Sequence, residues 1–219
     1  EVLVASEVLV PAPLNAVSFN DAIAAVSHDD AMAMALRSGK AFDERADFER
    51  TLDPDNTNIQ RTLKKARAQC ITLGAARVMI VSNVNPEFIN RTIHDGARYN
   101  VYAIGKFSDL VAGVTGSGIK NSINNAITRS LFRFRAAGMQ FNGEMAKCAA
   151  SDKIRVETAV KDQLVRHTVA ASTAPTQASS TMQALETLGI VRRSGSGKNP
   201  NFDLTSNPIV DRLQEVLAA

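Results

Sequence analysis

The chain lacks any run of roughly 18 uncharged apolar residues, the length that a membrane-spanning helix needs. Its apolar beginning, residues 2–10, is interrupted by Glu7 and has no basic flank of the kind a secretory signal carries. A soluble, cytoplasmic protein without a membrane partner is therefore expected. Cysteine is scarce. Cys70 and Cys148 stand far apart, which argues against a disulfide scaffold and against a four-ligand zinc site, and both read as small buried hydrophobes. Histidine is scarcer than a catalytic reading would like. His28, His94 and His167 have no nucleophile or carboxylate partner at a recognisable spacing, and neither cysteine lies in a catalytic motif. His28, Asp29 and Asp30 are adjacent, so on a helix they point in different directions and do not share a metal. The glycine-rich stretch 113–118 precedes Lys120, but Ile119 intrudes and Asn121 stands where a phosphate loop needs a hydroxyl for magnesium. No catalytic residue, metal or cofactor is expected, and the chain reads as a non-enzyme.

What is present is a core-forming composition and a segregated charge. With 219 residues, 45% hydrophobic and 21% charged, the chain has the material for one large domain or two small ones. Its formal net charge of +3 hides three unlike segments. Residues 1–60 hold 11 acids and 4 bases (net −7), residues 61–135 hold 3 acids and 12 bases (net +9), and residues 136–219 hold 8 acids and 9 bases (net +1). A polycationic middle beside an acidic arm points to a polyanion-binding surface.

Hydrophobic periodicity predicts an α+β, mainly α-helical fold. Residues 1–55 form an acidic arm and helix, with Ser18 as an N-cap three residues before Asp21. The first residues mix Val, Leu and Ala with Pro11 and Pro13 and suit either a short strand or a tail draped on another subunit. Asp53 to Asn56 marks a turn, and residues 56–150 form a basic, mainly helical central domain with a short strand or two. There Ile59, Leu63, Ala66, Cys70 and Leu73 make a helical stripe ended by Gly74. The β-branched run 77–82 predicts a strand, residues 86–95 a helix, and 99–104 either strand or helix.

The helix predicted over 119–137 is the most informative. Ile119, Ile123, Ile127, Leu131 and Phe134 gather on one face, while Asn121, Asn125, Thr128, Arg129 and Arg135 surround Phe132 on the other. An aromatic ring among guanidinium groups suits stacking on a base while phosphates are neutralised. The candidate nucleic-acid contacts are Lys64 and Lys65 on the basic helix, Arg98 and Tyr99 further on, and Lys120, Asn121, Asn125, Arg129, Phe132, Arg133 and Arg135.

In the last third, residues 153–169 and 176–188 read as helices, 190–193 and 201–204 as the strands of a hairpin with a Gly/Ser/Lys tip, and 208–217 as a final helix. This order of helix, small-residue turn, Ser/Thr-rich helix, Leu-Gly-Ile-Val, Arg-Arg, hairpin tip and Phe-x-Leu-Thr resembles a winged-helix DNA-binding domain over residues 152–206. The resemblance implies a winged-helix-like domain at 151–219, with Gln177, Ser179, Ser180, Thr181 and Gln183 facing DNA and Arg192, Arg193 and Lys198 on its backbone. The helix has no Arg or Lys and includes Glu186, which limits base readout. Winged helices also serve as protein-binding and dimerisation modules. In overall organisation the chain is similar to small DNA-binding regulators of lytic bacteriophages, which implies the host cytoplasm.

These features predict a non-catalytic DNA-binding protein of replication or transcription. Single-stranded DNA is favoured over duplex because Tyr99, Tyr102, Phe107, Phe132 and Phe134 are interleaved with bases in the sequence. The alternative is a structural or assembly protein, homo-oligomeric through its N-terminal arm. The acidic segment could cover the basic face or recruit a protein partner such as a polymerase.

Overall fold

The computed structural model describes residues 17–93, 97–195, 197 and 199–218. The N-terminal arm 1–16, His94 and Lys198 lie outside the described residues. The described chain is mainly helical with one two-stranded antiparallel sheet, the α+β class that the periodicity predicts. Its helices are α1 (Phe19–Ala24), α2 (His28–Leu52), α3 (Thr57–Cys70), α4 (Leu73–Val81), α5 (Val101–Ala112), α6 (Ser122–Ala136), α7 (Gly143–Ala150), α8 (Thr158–Lys161), α9 (Ala174–Thr187) and α10 (Pro208–Ala218). Strands β1 (Val191–Ser194) and β2 (Asn201–Leu204) pair with Arg192 opposite Asp203 and Arg193 opposite Phe202. Among the described residues, no helix is long and apolar enough to cross a membrane.

Side-chain caps set most of the boundaries. Ser18, Ser27, Asn56, Thr72, Asn100, Asn121 and Asn142 each accept a hydrogen bond from a first-turn amide, supplying a partner that the helix itself cannot give. Thr72 explains one correction. Residues 77–81 are helical rather than a strand, because Thr72 caps α4 five residues earlier and Ala75, Ala76, Val78 and Met79 bury one face at helical spacing. Packing overrides β-propensity here. Helix α3 accordingly ends at Cys70, and Gly74 lies inside α4.

Two further helix predictions are corrected. Among the described residues of the stretch 86–95, only a short 3₁₀ turn forms, Pro86–Asn90. In 153–169 only α8 is helical. The Arg166 guanidinium donates to the carbonyl oxygens of Cys148, Ser151 and Ile154, and His167 N–H donates to Ala149 O at 2.8 Å, so this segment is bonded across to the end of α7. Both cysteines are buried and free.

Buried side chains from Ala31 on α2 to Leu217 on α10 form one continuous cluster, to which segments 1–55, 56–150 and 151–219 all contribute. Helix α5 is its centre, packed on α3 on one side and on α9 on the other. The buried Arg45 of α2 donates to the backbone oxygens of Ile89 and Tyr99 and holds the chain entering α5. Beyond α5, helices α6, α7 and α9 pack together beside the hairpin. The chain between α6 and α7 runs along β2 as a third edge, with Phe202 N–H donating to Phe141 O at 2.9 Å.

A polar network fixes how these halves meet. The buried Asp109 carboxylate on α5 accepts from the backbone N–H groups of Lys120 and Asn121 at 3.1 and 3.0 Å and from Asn124 Nδ2 at 2.9 Å. Asn124 Nδ2 also donates to Lys106 O, and Asn124 Oδ1 accepts from Thr181 Oγ1 of α9 at 2.9 Å. One carboxylate thus seats the N-terminus of α6, where the helix dipole favours negative charge. Asp109→Ala is expected to lower the unfolding free energy by about 3 kcal/mol. Asp43→Ala, which breaks an exposed pair with Arg67, is expected to cost about 0.5 kcal/mol. Equal losses in urea titrations followed by circular dichroism would contradict this assignment.

Candidate nucleic-acid interface

Residues four apart on a helix share a face. Arg61 and Lys65 do so on α3, Tyr102 and Lys106 do so on α5, and the two rows confront each other across a groove of about 350 Å³. The helices approach closely because Gly105 lies between them: a Cβ there would come within 3.0 Å of Thr62 Cγ2. Asn121 at the head of α6 and Gln177 of α9 close the groove, and no carboxylate lines it. Lys106 forms its floor, only 6% exposed, with Nζ donating to Asn121 Oδ1 at 2.8 Å. Burial lowers the proton affinity of this amine to about 8, and the charge of Asp109 opposes that fall.

Helix α9 forms a wall common to this groove and to a second cleft. On the far side, Ser179, Gln183 and Glu186 line a cleft of about 270 Å³ with Lys147 of α7 and Arg193 of β1. Lys147 is ion-paired with Glu144 in its own helix, while Arg193 is exposed. Thr176 and Ser179 are exposed and Gln183 is half-buried, so α9 presents a narrow polar edge that lines the second cleft, while Gln177 reaches the groove. Its other faces are in the core.

Several predicted contacts are corrected by burial. Tyr99 is fully buried, its hydroxyl 2.8 Å from Thr187 Oγ1 and 3.2 Å from Gln183 O, and burial pushes the phenol up to about 12. Ser180 and Thr181 are buried rather than facing outward, and Thr181 donates to Asn124 of α6. Phe107 and Phe134 are core residues, and Phe132, half-buried, packs on the core beside buried Thr128. Arg98 lies 3.5 Å over the Phe48 ring and donates to Asn90 Oδ1, a structural placement. Arg129 donates to Asn125 Oδ1 at 2.9 Å along α6.

The remaining predicted residues fall in different places. Lys65, Asn121 and Gln177 come together in the groove, while Lys64 is exposed on α3 outside its lining. Lys120 is exposed where α6 begins, and Arg133 and Arg135 are exposed in the last turn of α6, where cations suit the helix dipole. Arg192 and Arg193 are exposed on β1, with Asp203 directly across from Arg192.

Arg61 and Lys106 line the groove and Lys147 the cleft, although sequence reasoning did not select them as contacts, and it counted Tyr102, which also lines the groove, only among the aromatics interleaved with bases. The four-residue spacing of Arg61 with Lys65 and of Tyr102 with Lys106 is the signal that pointed to them. The structure also brings Ser122 Oγ to 2.8 Å from His167 Nε2, a pair that sequence spacing did not reveal. His167 Nδ1 is buried without a hydrogen-bond partner, so no carboxylate orients the ring, and neither residue lines the two clefts. Among the described residues, no group of three His, Cys, Asp or Glu side chains is placed to hold a metal ion.

No protein-family model, curated protein or solved structure matches the chain. In ¹³C-lysine spectra Lys106 is expected to titrate near 8, and Asp109→Asn, by removing the neighbouring negative charge, to shift that midpoint further down. A Lys106 midpoint near the ordinary 10.5 would show that the groove floor is open to water.

Proposed function

We propose that the protein binds DNA without catalysis, laying the nucleic acid along the exposed edge of α9 with cations on either side. The observation that carries this reading is that α9 lends Gln177 to the Arg61, Lys65 and Lys106 groove and Ser179, Gln183 and Glu186 to the Arg193 and Lys147 cleft. Phosphate contacts from the flanks supply affinity, and the short polar side chains of the edge hydrogen-bond with modest base preference. Glu186 on the same edge keeps the central strip from being strongly cationic.

A winged-helix reading of the C-terminal part is supported by the order α6, the Phe141 edge, α7, α9 and the β1–β2 hairpin, with α9 in the position of the reading helix. That order starts at α6, upstream of the residues whose sequence suggested it. Duplex is favoured over single-stranded DNA, because Tyr99, Phe107 and Phe134 belong to the core and Phe132 packs on it, which leaves Tyr102 alone of the five aromatics exposed for stacking. An exposed helix edge between basic flanks suits a groove and its two phosphate ridges. Such a protein acts in replication or transcription in the cytoplasm, and the acidic N-terminal segment is the part suited to a protein partner such as a polymerase.

Fluorescence anisotropy with labelled duplex and single-stranded DNA across a salt series tests this reading. Duplex affinity is expected to fall steeply with salt, and Arg61→Ala with Lys65→Ala to reduce the slope of log affinity against log salt by about 2. Absence of binding to either form at about 50 mM salt would overturn the proposal.

A further inference from the structure

We infer that the groove between α3 and α5 is a pocket for a single nucleoside phosphate, with its phosphate on Arg61, Lys65 and Lys106 and its base against Tyr102. The inference goes beyond the duplex reading and does not rest on it, because the ligand sits beside α9 and not along its edge.

Four observations converge. The groove, about 350 Å³, falls within the size range of small-ligand sites. Its charge is of one sign, with three cations and no carboxylate in the lining. Lys106 is buried but has no carboxylate oxygen within ion-pair distance among the described residues, since Asp109 is committed to the amides that open α6. A buried ammonium without a contact anion is costly, and a phosphate in the groove supplies one.

The aromatic partner is the fourth observation. Tyr102 is 54% exposed, unlike Tyr99 and Phe107 on either side of it in sequence, which are fully buried. It stands one turn before Lys106 on the same face of α5, a helical rise of about 6 Å, so a base lying on the ring places its phosphate near the cations. The amide of Gln177 at the groove wall offers both a donor and an acceptor to a base edge. A free nucleotide and one nucleotide of a DNA strand present this same chemistry.

Tyrosine emission of the full chain reads the pocket directly. The sequence has two tyrosines and no tryptophan, and Tyr99 is buried, so a ligand-induced change reports Tyr102. Titration with dAMP, with a short single-stranded oligo-dA and with inorganic phosphate distinguishes the sources. Quenching by dAMP identifies a free nucleotide as ligand, and quenching by the oligonucleotide alone identifies a nucleotide within a strand. Inorganic phosphate is expected to compete without quenching. By calorimetry, Tyr102→Ala is expected to weaken the quenching ligand about tenfold, and Tyr102→Phe to retain affinity within about twofold because the ring is kept. Both variants alter an exposed side chain and leave the core intact. The inference is overturned if neither dAMP nor the oligonucleotide quenches, or if Tyr102→Ala binds the quenching ligand as the native chain does, whatever the duplex result. Quenching without duplex binding overturns the duplex reading alone.

Discussion

A carboxylate buried between two helices must be matched by donors or it will not stay ionised. Asp109 meets that condition with the amides of Lys120 and Asn121, immediately before α6, and the side chain of Asn124, and in doing so it fixes where α6 starts and how it lies against α5. Asn124 passes the constraint to α9 through Thr181. The same contacts place Asn121 where its side chain both caps α6 and receives Lys106. The geometry of the groove and the orientation of α9 therefore descend from one buried group. Polar networks of this kind hold a unique arrangement only when every member is satisfied.

Helix α5 serves two purposes because its sides differ. Ile104, Phe107, Leu110 and Val111 anchor it in the core, whereas Tyr102 and Lys106 turn towards α3 and line the groove. The large positive charge of the middle segment is not spread evenly over the surface. Arg67 is matched by Asp43 and Arg98 lies against Phe48, so these cations are already engaged within the protein. Arg61 and Lys65 face the groove, and Arg193 stands across α9 from them. The electrostatic asymmetry visible in the sequence thus resolves into structural cations and surface cations, and the latter carry the functional proposal.

Elements with strong local signals were legible in the sequence. The hairpin was marked by its Gly/Ser tip between two apolar-polar runs, α9 by its stripe, and α6 by the face from Ile119 to Phe134, although Asn121 caps the helix so that Ile119 precedes it. What was not legible depended on partners distant in sequence. The run 77–82 has strand composition, and only the Thr72 cap and the packing of Val78 and Met79 make 77–81 helical. The stretch 153–169 has a helical pattern, and Arg166 bonds it to α7 instead. Tyr99 and Tyr102 are near neighbours with opposite fates, because Asn100 starts a helix between them and turns one ring inward and the other outward. Composition identified a basic segment, but not which bases were already engaged.

In the proposed mode of binding, DNA crosses the exposed edge of α9 and reaches the cations of both the groove and the cleft. Mapping amide shifts in ¹⁵N–¹H spectra as duplex DNA is added tests it most directly. The account predicts that the largest changes fall on Thr176, Ser179, Gln183 and Arg193, with Arg61 and Lys65 following on the other flank. Changes confined to α1, α2 and α10, with the α9 edge unmoved, would contradict it.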